Sequence, residues 1–168
     1  PEIRTLFADI PPSDANASWV GIVVPHELTH LVFATATGNL YHEPPHWMNE
    51  GLAVYLSEGY SGDARADVQR TVRAGAIMPL RALVGQFPTT AERFALAYDE
   101  SVSAIDYLVR TYGREALVKL IRSYADGVSD DAAFQSALGV DTTGFETGWL
   151  SDLGLDERHA ADVQGARK

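Results

Sequence analysis

The stretch His26-Glu27-Leu28-Thr29-His30 is an H-E-x-x-H motif within an apolar segment. On a helix, residues four apart lie on the same face, so His26 and His30 would point at one spot. Two imidazoles that converge in this way suit a divalent metal, usually zinc. Glu27 lies one residue round the helix from His26, where it can reach a metal-bound water without binding the metal. The motif therefore predicts a metal site, against the simpler alternative of a helix with two surface histidines and a glutamate.

Glu50 is the natural third ligand for this metal. It lies twenty residues after His30, on a second predicted helix that contains Trp47-Met48-Asn49-Glu50-Gly51-Leu52-Ala53. Two histidines from one helix and a glutamate from the next leave a fourth position open for water. This is the arrangement of a catalytic zinc site, since a structural site would fill all four positions with protein ligands.

The apolar run over residues 19–24 leads into the motif, and its β-branched residues leave a buried strand open as an alternative to a helix. Pro25 could occupy the first turn of a helix, where its missing N–H costs nothing. Alternatively, the helix begins near Ser18 and kinks at Pro25, with Gly21 leaving room for the proline ring. We favour the second interpretation, with the helix ending near Thr37.

Downstream, apolar residues spaced at threes and fours alternate with capping and turn residues, which predicts a mainly α domain. The predicted helices cover about residues 46–58, 63–74, 79–85, 91–112, 117–126, 130–138 and 142–150. Their expected caps include Thr90, Ser129 and Asp141. In the helix that carries Glu50, the apolar residues predicted to be buried are Trp47, Leu52, Tyr55 and Leu56.

The composition limits the kinds of partner and of site. The 168 residues fit one domain, and the formal net charge of −10 argues against a nucleic-acid or anionic-membrane partner. No apolar run approaches the length that spans a bilayer. The absence of cysteine excludes disulfides, thiolate zinc ligands and cysteine nucleophiles. Any metal must therefore be held by histidine and carboxylate.

The chain divides into three parts: an extended leader or loop over residues 1–18, a helical domain over 19–155 and a polar tail over 156–168. Because the chain begins with Pro1, we expect a processed form or an excised segment. The sequence leaves the compartment and the oligomeric state open. We favour an extracytoplasmic location, with any signal or anchor lying outside these residues.

Together, residues 26–30 and 47–53 resemble the motifs of gluzincin metallopeptidases, particularly the peptidase-MA-like domains and, more distantly, the alanyl aminopeptidases. A third segment, residues 97–113, is similar to the family helix that presents a catalytic tyrosine, which makes Tyr98 the candidate. The resemblance covers about residues 19–150. It implies the helices of a zincin-like catalytic domain and one zinc ion per chain. The chain departs from the family in the β-sheet that usually precedes the motif helix, so we expect a mainly α fold with little or no remaining β-sheet at the N-terminus.

The resemblance also implies an activity, the hydrolysis of peptide bonds through a metal-activated water. Zinc would be held by His26, His30 and Glu50, with Glu27 as the general base and Tyr98 as the hydrogen-bond donor to the oxyanion. The substrate would be a peptide or protein, with no nucleic-acid or membrane contact by these residues. An alternative is a zinc-binding, peptidase-like module for interaction or regulation with little or no turnover. A third is a helical structural domain with a fortuitous motif.

Other polar residues near the two motifs are candidates for supporting roles. His42 and His46 flank the loop before Glu50 and could line the cleft or contact substrate, although loop histidines are usually solvated. Asn49 could bond to backbone or substrate near the metal. The candidate partners that would orient the ligand histidines are Glu58, Asp99, Glu100 and Asp106, among which the sequence does not choose.

Overall fold

The computed structural model describes residues 19–39 and 42–155, and within these ranges every regular element is helical. The predicted mainly α class is confirmed, and the described ranges contain no strand. Their α-helices are α1 (Val20–Thr37), α2 (His46–Ser57), α3 (Gly62–Arg73), α4 (Ala91–Tyr112), α5 (Arg114–Ser123), α6 (Asp130–Leu138) and α7 (Thr142–Asp152). Short 3-10 helices occupy Leu80–Leu83 and Tyr124–Asp126.

The predicted leader over residues 1–18 and the polar tail over 156–168 lie outside the described residues, as does any N-terminal sheet within the leader. The boundaries of the helical domain therefore stay a prediction. No helix in the described ranges is both long enough and apolar enough to span a membrane.

Helix α1 continues through Pro25, which decides both alternatives that the sequence left open. The β-branched run before the proline is helical, and the proline lies inside the helix instead of starting it. The room expected from Gly21 is not needed, because a Cβ placed there would meet nothing within 4 Å. Inside the same helix, the Thr29 hydroxyl donates to the carbonyl oxygen of Pro25 at 2.8 Å. Both motif histidines thus belong to one uninterrupted helix.

Two of the expected caps are confirmed by side-chain hydrogen bonds. Ser129 Oγ accepts from the N–H of Ala132 at 3.3 Å, and Asp141 Oδ1 accepts from the N–H of Gly144 at 2.7 Å. These bonds satisfy amide groups that have no partner within the first turn of a helix. The expectation for Thr90 is wrong in part: it occupies the N-cap position of α4, but its side chain makes no capping bond.

Helix α4 forms the centre of the domain, and residues 101–108 along it are all buried. It packs against α2 and α3, while α2 also packs against α1 on its other side. The closest approach of α2 to α4 occurs at Gly51, where a Cβ would lie 2.5 Å from the carbonyl oxygen of Ser101. Only glycine fits so close to another backbone, so the neighbouring Glu50 is held firmly between α1 and α4.

The predicted buried residues of α2 are correct except for one. Trp47 and Leu52 are buried and Tyr55 is partly buried against the core, but Leu56 is 60% exposed. Trp47 stacks on Phe145 with 6.0 Å between ring centroids. This contact packs the start of α2 against α7.

Candidate metal centre

The structure brings His26, His30 and Glu50 together, as the two motifs predict. The Nε2 atoms of His26 and His30 lie 3.7 Å and 3.6 Å from Oε2 of Glu50. One ligand atom from each of the three residues can be chosen so that all lie within 4.8 Å of one another. Among the described residues, these three side chains form a group that could hold a metal ion.

These three side chains fit a zinc ion in both chemistry and spacing. Zinc binds imidazole nitrogen and carboxylate oxygen at about 2.0–2.1 Å, so tetrahedral ligands lie about 3.3 Å apart. The distances from the two histidines to Glu50 exceed that value by only a few tenths of an ångström. Three protein ligands also leave a fourth position open. With one ligand atom of each residue within 4.8 Å of the others, the three side chains are grouped closely enough to serve as ligands of one ion.

The ring of His30 is oriented by Asn49, whose Oδ1 lies 2.9 Å from Nδ1 of His30. An amide oxygen can only accept, so Nδ1 carries the proton and the lone pair of Nε2 is turned toward Glu50. Such a bond is the usual device for setting the tautomer of a ligand histidine. The sequence did not identify this partnership, although Asn49 directly precedes Glu50 on the same helix.

Glu27, the predicted general base, lines a cavity of about 440 Å³. His26 and Tyr98 line the same cavity, so α1 and α4 present the predicted catalytic groups to one space. The wall is completed by apolar residues of α1 and α2, including Ile22, Val23 and Val54. All five residues that the sequence selected for the site therefore lie together.

Tyr98 is held with its hydroxyl close to the ligand carboxylate. Its ring contacts Phe87 and Phe94 edge-on, each at 5.2 Å between centroids. Burial, together with the charge and hydrogen bonding of Glu50 and the charge of Glu27, raises the pKa of Tyr98 to about 12. The phenol therefore stays protonated at neutral pH and remains a hydrogen-bond donor.

The family of the chain follows from a comparison with known protein families. A family model described as the peptidase MA superfamily matches residues 6–154, most of the chain. The chain belongs to the peptidase MA superfamily. The match includes both metal motifs and the helix of Tyr98, and it confirms the resemblance drawn from those motifs. No curated protein and no solved structure matches the chain.

The two loop histidines of this peptidase MA domain have different surroundings. His42 Nε2 lies 3.0 Å from Oδ1 of Asp130, which also accepts from the Tyr124 hydroxyl at 2.9 Å. His42 therefore ties the loop before α2 to the start of α6. His46, by contrast, directs Nε2 at Oε1 of Glu50, 3.7 Å away.

Two of the four acidic residues suggested as partners of the motif histidines are engaged elsewhere, and two lie in the cavity that His26 lines. Glu100 accepts from the N–H of Met78 at 3.1 Å, and Asp106 accepts from Nε of Arg110 at 2.9 Å. The remaining two, Glu58 and Asp99, line the cavity that contains Glu27. In this peptidase MA domain, the recorded side-chain partner of the His30 Nδ1 atom is thus the amide of Asn49.

Proposed function

We propose that this domain is a zinc-dependent peptidase that hydrolyses peptide bonds with the metal held by His26, His30 and Glu50. The observation that carries the proposal is the convergence of these three side chains on one point beside Glu27. Membership of the peptidase MA superfamily, which is typically metal-dependent, supports it. A retained general base is expected of a hydrolase, because a site used only for binding has no need of it.

Zinc bound to these three ligands supplies a Lewis acid, which acidifies water and polarises a carbonyl oxygen. The Glu27 carboxylate takes a proton from the attacking water and returns it to the nitrogen of the leaving amine. The Tyr98 hydroxyl donates a hydrogen bond to the carbonyl oxygen as negative charge develops on it. Asn49 keeps the His30 ring in the tautomer that can bind the metal.

The proposed substrate is a peptide or protein segment in an extended conformation. One cavity of about 440 Å³ is lined by His26 and Glu27, and another of about 580 Å³ is lined by His46 and Asn49, the neighbour of Glu50. A peptide that crosses from one to the other would place a backbone carbonyl between them, close to the ligands.

The test combines metal content with cleavage of casein. We expect the wild-type protein to carry one zinc ion per chain and to cleave casein, and Glu27→Gln to keep the zinc and lose cleavage by at least about 10²-fold. His26→Ala should lose both. Glu115→Gln, a change at an exposed carboxylate of α5, is the matched control and should alter neither.

Three outcomes would contradict the proposal. Equal cleavage by wild type and Glu27→Gln would show that the activity does not come from this site. Zinc binding without cleavage by the wild-type protein would instead support a peptidase-like module for interaction or regulation. Failure to bind zinc stoichiometrically would leave the motif without a metal function.

A further inference from the structure

The two carboxylate oxygens of Glu50 face different partners. Oε2 lies 3.7 Å and 3.6 Å from the Nε2 atoms of His26 and His30. Oε1 lies 3.7 Å from Nε2 of His46, one turn earlier on α2. A carboxylate that binds a metal through one oxygen leaves the other available as a hydrogen-bond acceptor. His26 and His30 therefore face Oε2, the oxygen on the side of the proposed metal, whereas His46 faces Oε1.

The His46 ring is held in place from two sides. Its backbone N–H donates to the carbonyl oxygen of Val84 at 2.8 Å, which fixes the start of α2 against the segment that follows the first 3-10 helix. The ring lies edge-on to Phe87, with centroids 4.7 Å apart. The side chain is 40% exposed and lines the cavity of about 580 Å³. A ring supported in this way can turn its nitrogen to Glu50 with little further loss of conformational freedom.

We propose that His46 is a positioning residue of the metal centre, a role that rests on the proposed zinc site. Its Nε2–H donates to Oε1 of Glu50 and keeps Oε2 directed at the metal. The present separation exceeds a normal N–H···O distance of about 2.9 Å by less than 1 Å, which small rotations of the ring and the carboxylate remove. His46 is not a fourth ligand, because its nitrogen faces the oxygen turned away from His26 and His30.

The hydrogen bond from His46 to Glu50 would matter during the proposed reaction. Glu50 also interacts with the Tyr98 hydroxyl, which in the proposed mechanism turns to the substrate carbonyl oxygen. The carboxylate would then lose one donor at the moment when the metal needs a firmly placed ligand. His46 supplies a donor that does not take part in the chemistry. Phe87 contacts both His46 and Tyr98, so one buried ring supports the two donors.

The test measures metal binding by the whole chain, independently of turnover. Zinc affinity is determined by competition with a chromophoric chelator, and the visible absorption of the cobalt-loaded protein reports the geometry of the ligands. We expect His46→Ala to weaken zinc binding about 10–100-fold and to change the cobalt spectrum, since removing an outer partner of a ligand has effects of that size. His46→Gln provides an amide N–H and should restore both to near the wild-type values.

His42→Ala is the matched control, because it removes the histidine four residues before His46, whose partner is Asp130. It should leave the zinc affinity and the cobalt spectrum unchanged. Thermal unfolding of the metal-free variants separates weakened binding from a damaged fold. If His46→Ala is unstable, the comparison of His46→Gln with the wild-type protein decides the question.

The outcomes separate this inference from the proposed function. If the wild-type chain binds no zinc, the metal site and the role of His46 both fall. If it binds zinc and His46→Ala binds equally well, only the role of His46 is overturned. If His46→Gln binds as weakly as His46→Ala, an imidazole is required, and positioning by a hydrogen bond is overturned as well.

Discussion

The Oδ1 atom of Asn49 lies 2.9 Å from Nδ1 of His30, and this contact joins the two helices that carry the three candidate metal ligands. Asn49 is the neighbour of Glu50 in the chain, while His30 belongs to α1. The hydrogen bond therefore orients one ligand from the same short segment that provides another. A shift of α1 against α2 would change the distances from His26 and His30 to Glu50. The same shift would break the hydrogen bond that sets the tautomer of His30.

Removing the Asn49 amide should weaken the metal centre more than the fold. We expect Asn49→Ala to lower zinc affinity about 10–100-fold, because the His30 ring loses the acceptor that selects its tautomer. Asn49→Asp keeps an oxygen acceptor and should retain most of the affinity. Chelator competition measures the affinity, and thermal unfolding of the metal-free protein checks the fold. Unchanged affinity in Asn49→Ala would show that His30 does not need this partner.

The Tyr98 hydroxyl should matter for turnover and little for binding. We expect Tyr98→Phe to lower kcat by about 10²-fold with a nearly unchanged KM and zinc content, because a donor to the developing oxyanion acts mainly in the transition state. The phenylalanine ring preserves the contacts with Phe87 and Phe94. Tyr112→Phe, at the other end of α4, is the control and should retain full activity. Equal kcat values for Tyr98→Phe and the wild-type protein would exclude the proposed role.

The helices and the grouping of His26, His30 and Glu50 could be predicted because their signals are local. The spacing of His26 and His30 places both on one helical face, and the positions of Ser129 and Asp141 mark helix starts through bonds made within four residues. The bounds predicted for α4, Ala91–Tyr112, agree with the structure for the same reason. Glu50 could be added because few other carboxylates follow the first motif closely on a helix.

The partners of the site residues could not be predicted because they depend on packing between distant segments. His42 and His46 are equivalent in the sequence, yet His42 pairs with a carboxylate 88 residues away while His46 meets Glu50. The exposure of Leu56 likewise depends on which side of α2 is covered by α1 and α4. Periodicity describes one helix and contains no information about the shapes of its neighbours.

Gly51 should be highly sensitive to a single added methyl group, because the atoms that the methyl group would meet belong to the backbone of α4. In Gly51→Ala, the Cβ would lie 2.5 Å from the carbonyl oxygen of Ser101 and must push α2 away from α4. We expect a loss of about 1–3 kcal/mol in the free energy of unfolding, and weaker zinc binding because the adjacent Glu50 moves. Urea unfolding and chelator competition measure the two effects.

Gly21→Ala is the matched control for that substitution, since it lies inside α1 and a Cβ there meets nothing within 4 Å. Alanine is favoured over glycine in a helix by up to about 1 kcal/mol, so this variant should be as stable as the wild-type protein or more stable. If both alanine variants behave alike, the close approach of α2 to α4 is not what requires Gly51.

Glu100 should make the stability of the domain depend on pH. The side chain is fully buried in α4, where its two oxygens lie 3.1 Å and 3.2 Å from the N–H of Met78, and burial raises its pKa from 4.5 to about 8. Between these values the folded state holds a proton that the unfolded state has released, so the free energy of unfolding falls as pH rises. The slope for one such proton is about 1.4 kcal/mol per pH unit.

Glu100→Gln should remove this contribution, because the amide resembles the protonated acid and does not titrate. Relative to the wild-type protein, we expect the variant to gain stability steadily from pH 5 to pH 8, with the two most alike at the acidic end. Urea unfolding of both proteins across this range provides the comparison, in which other titrating groups cancel. Parallel stability profiles would show that the Glu100 carboxyl has the same pKa in the folded and unfolded chains, and that its burial is compensated by the bonds from Met78.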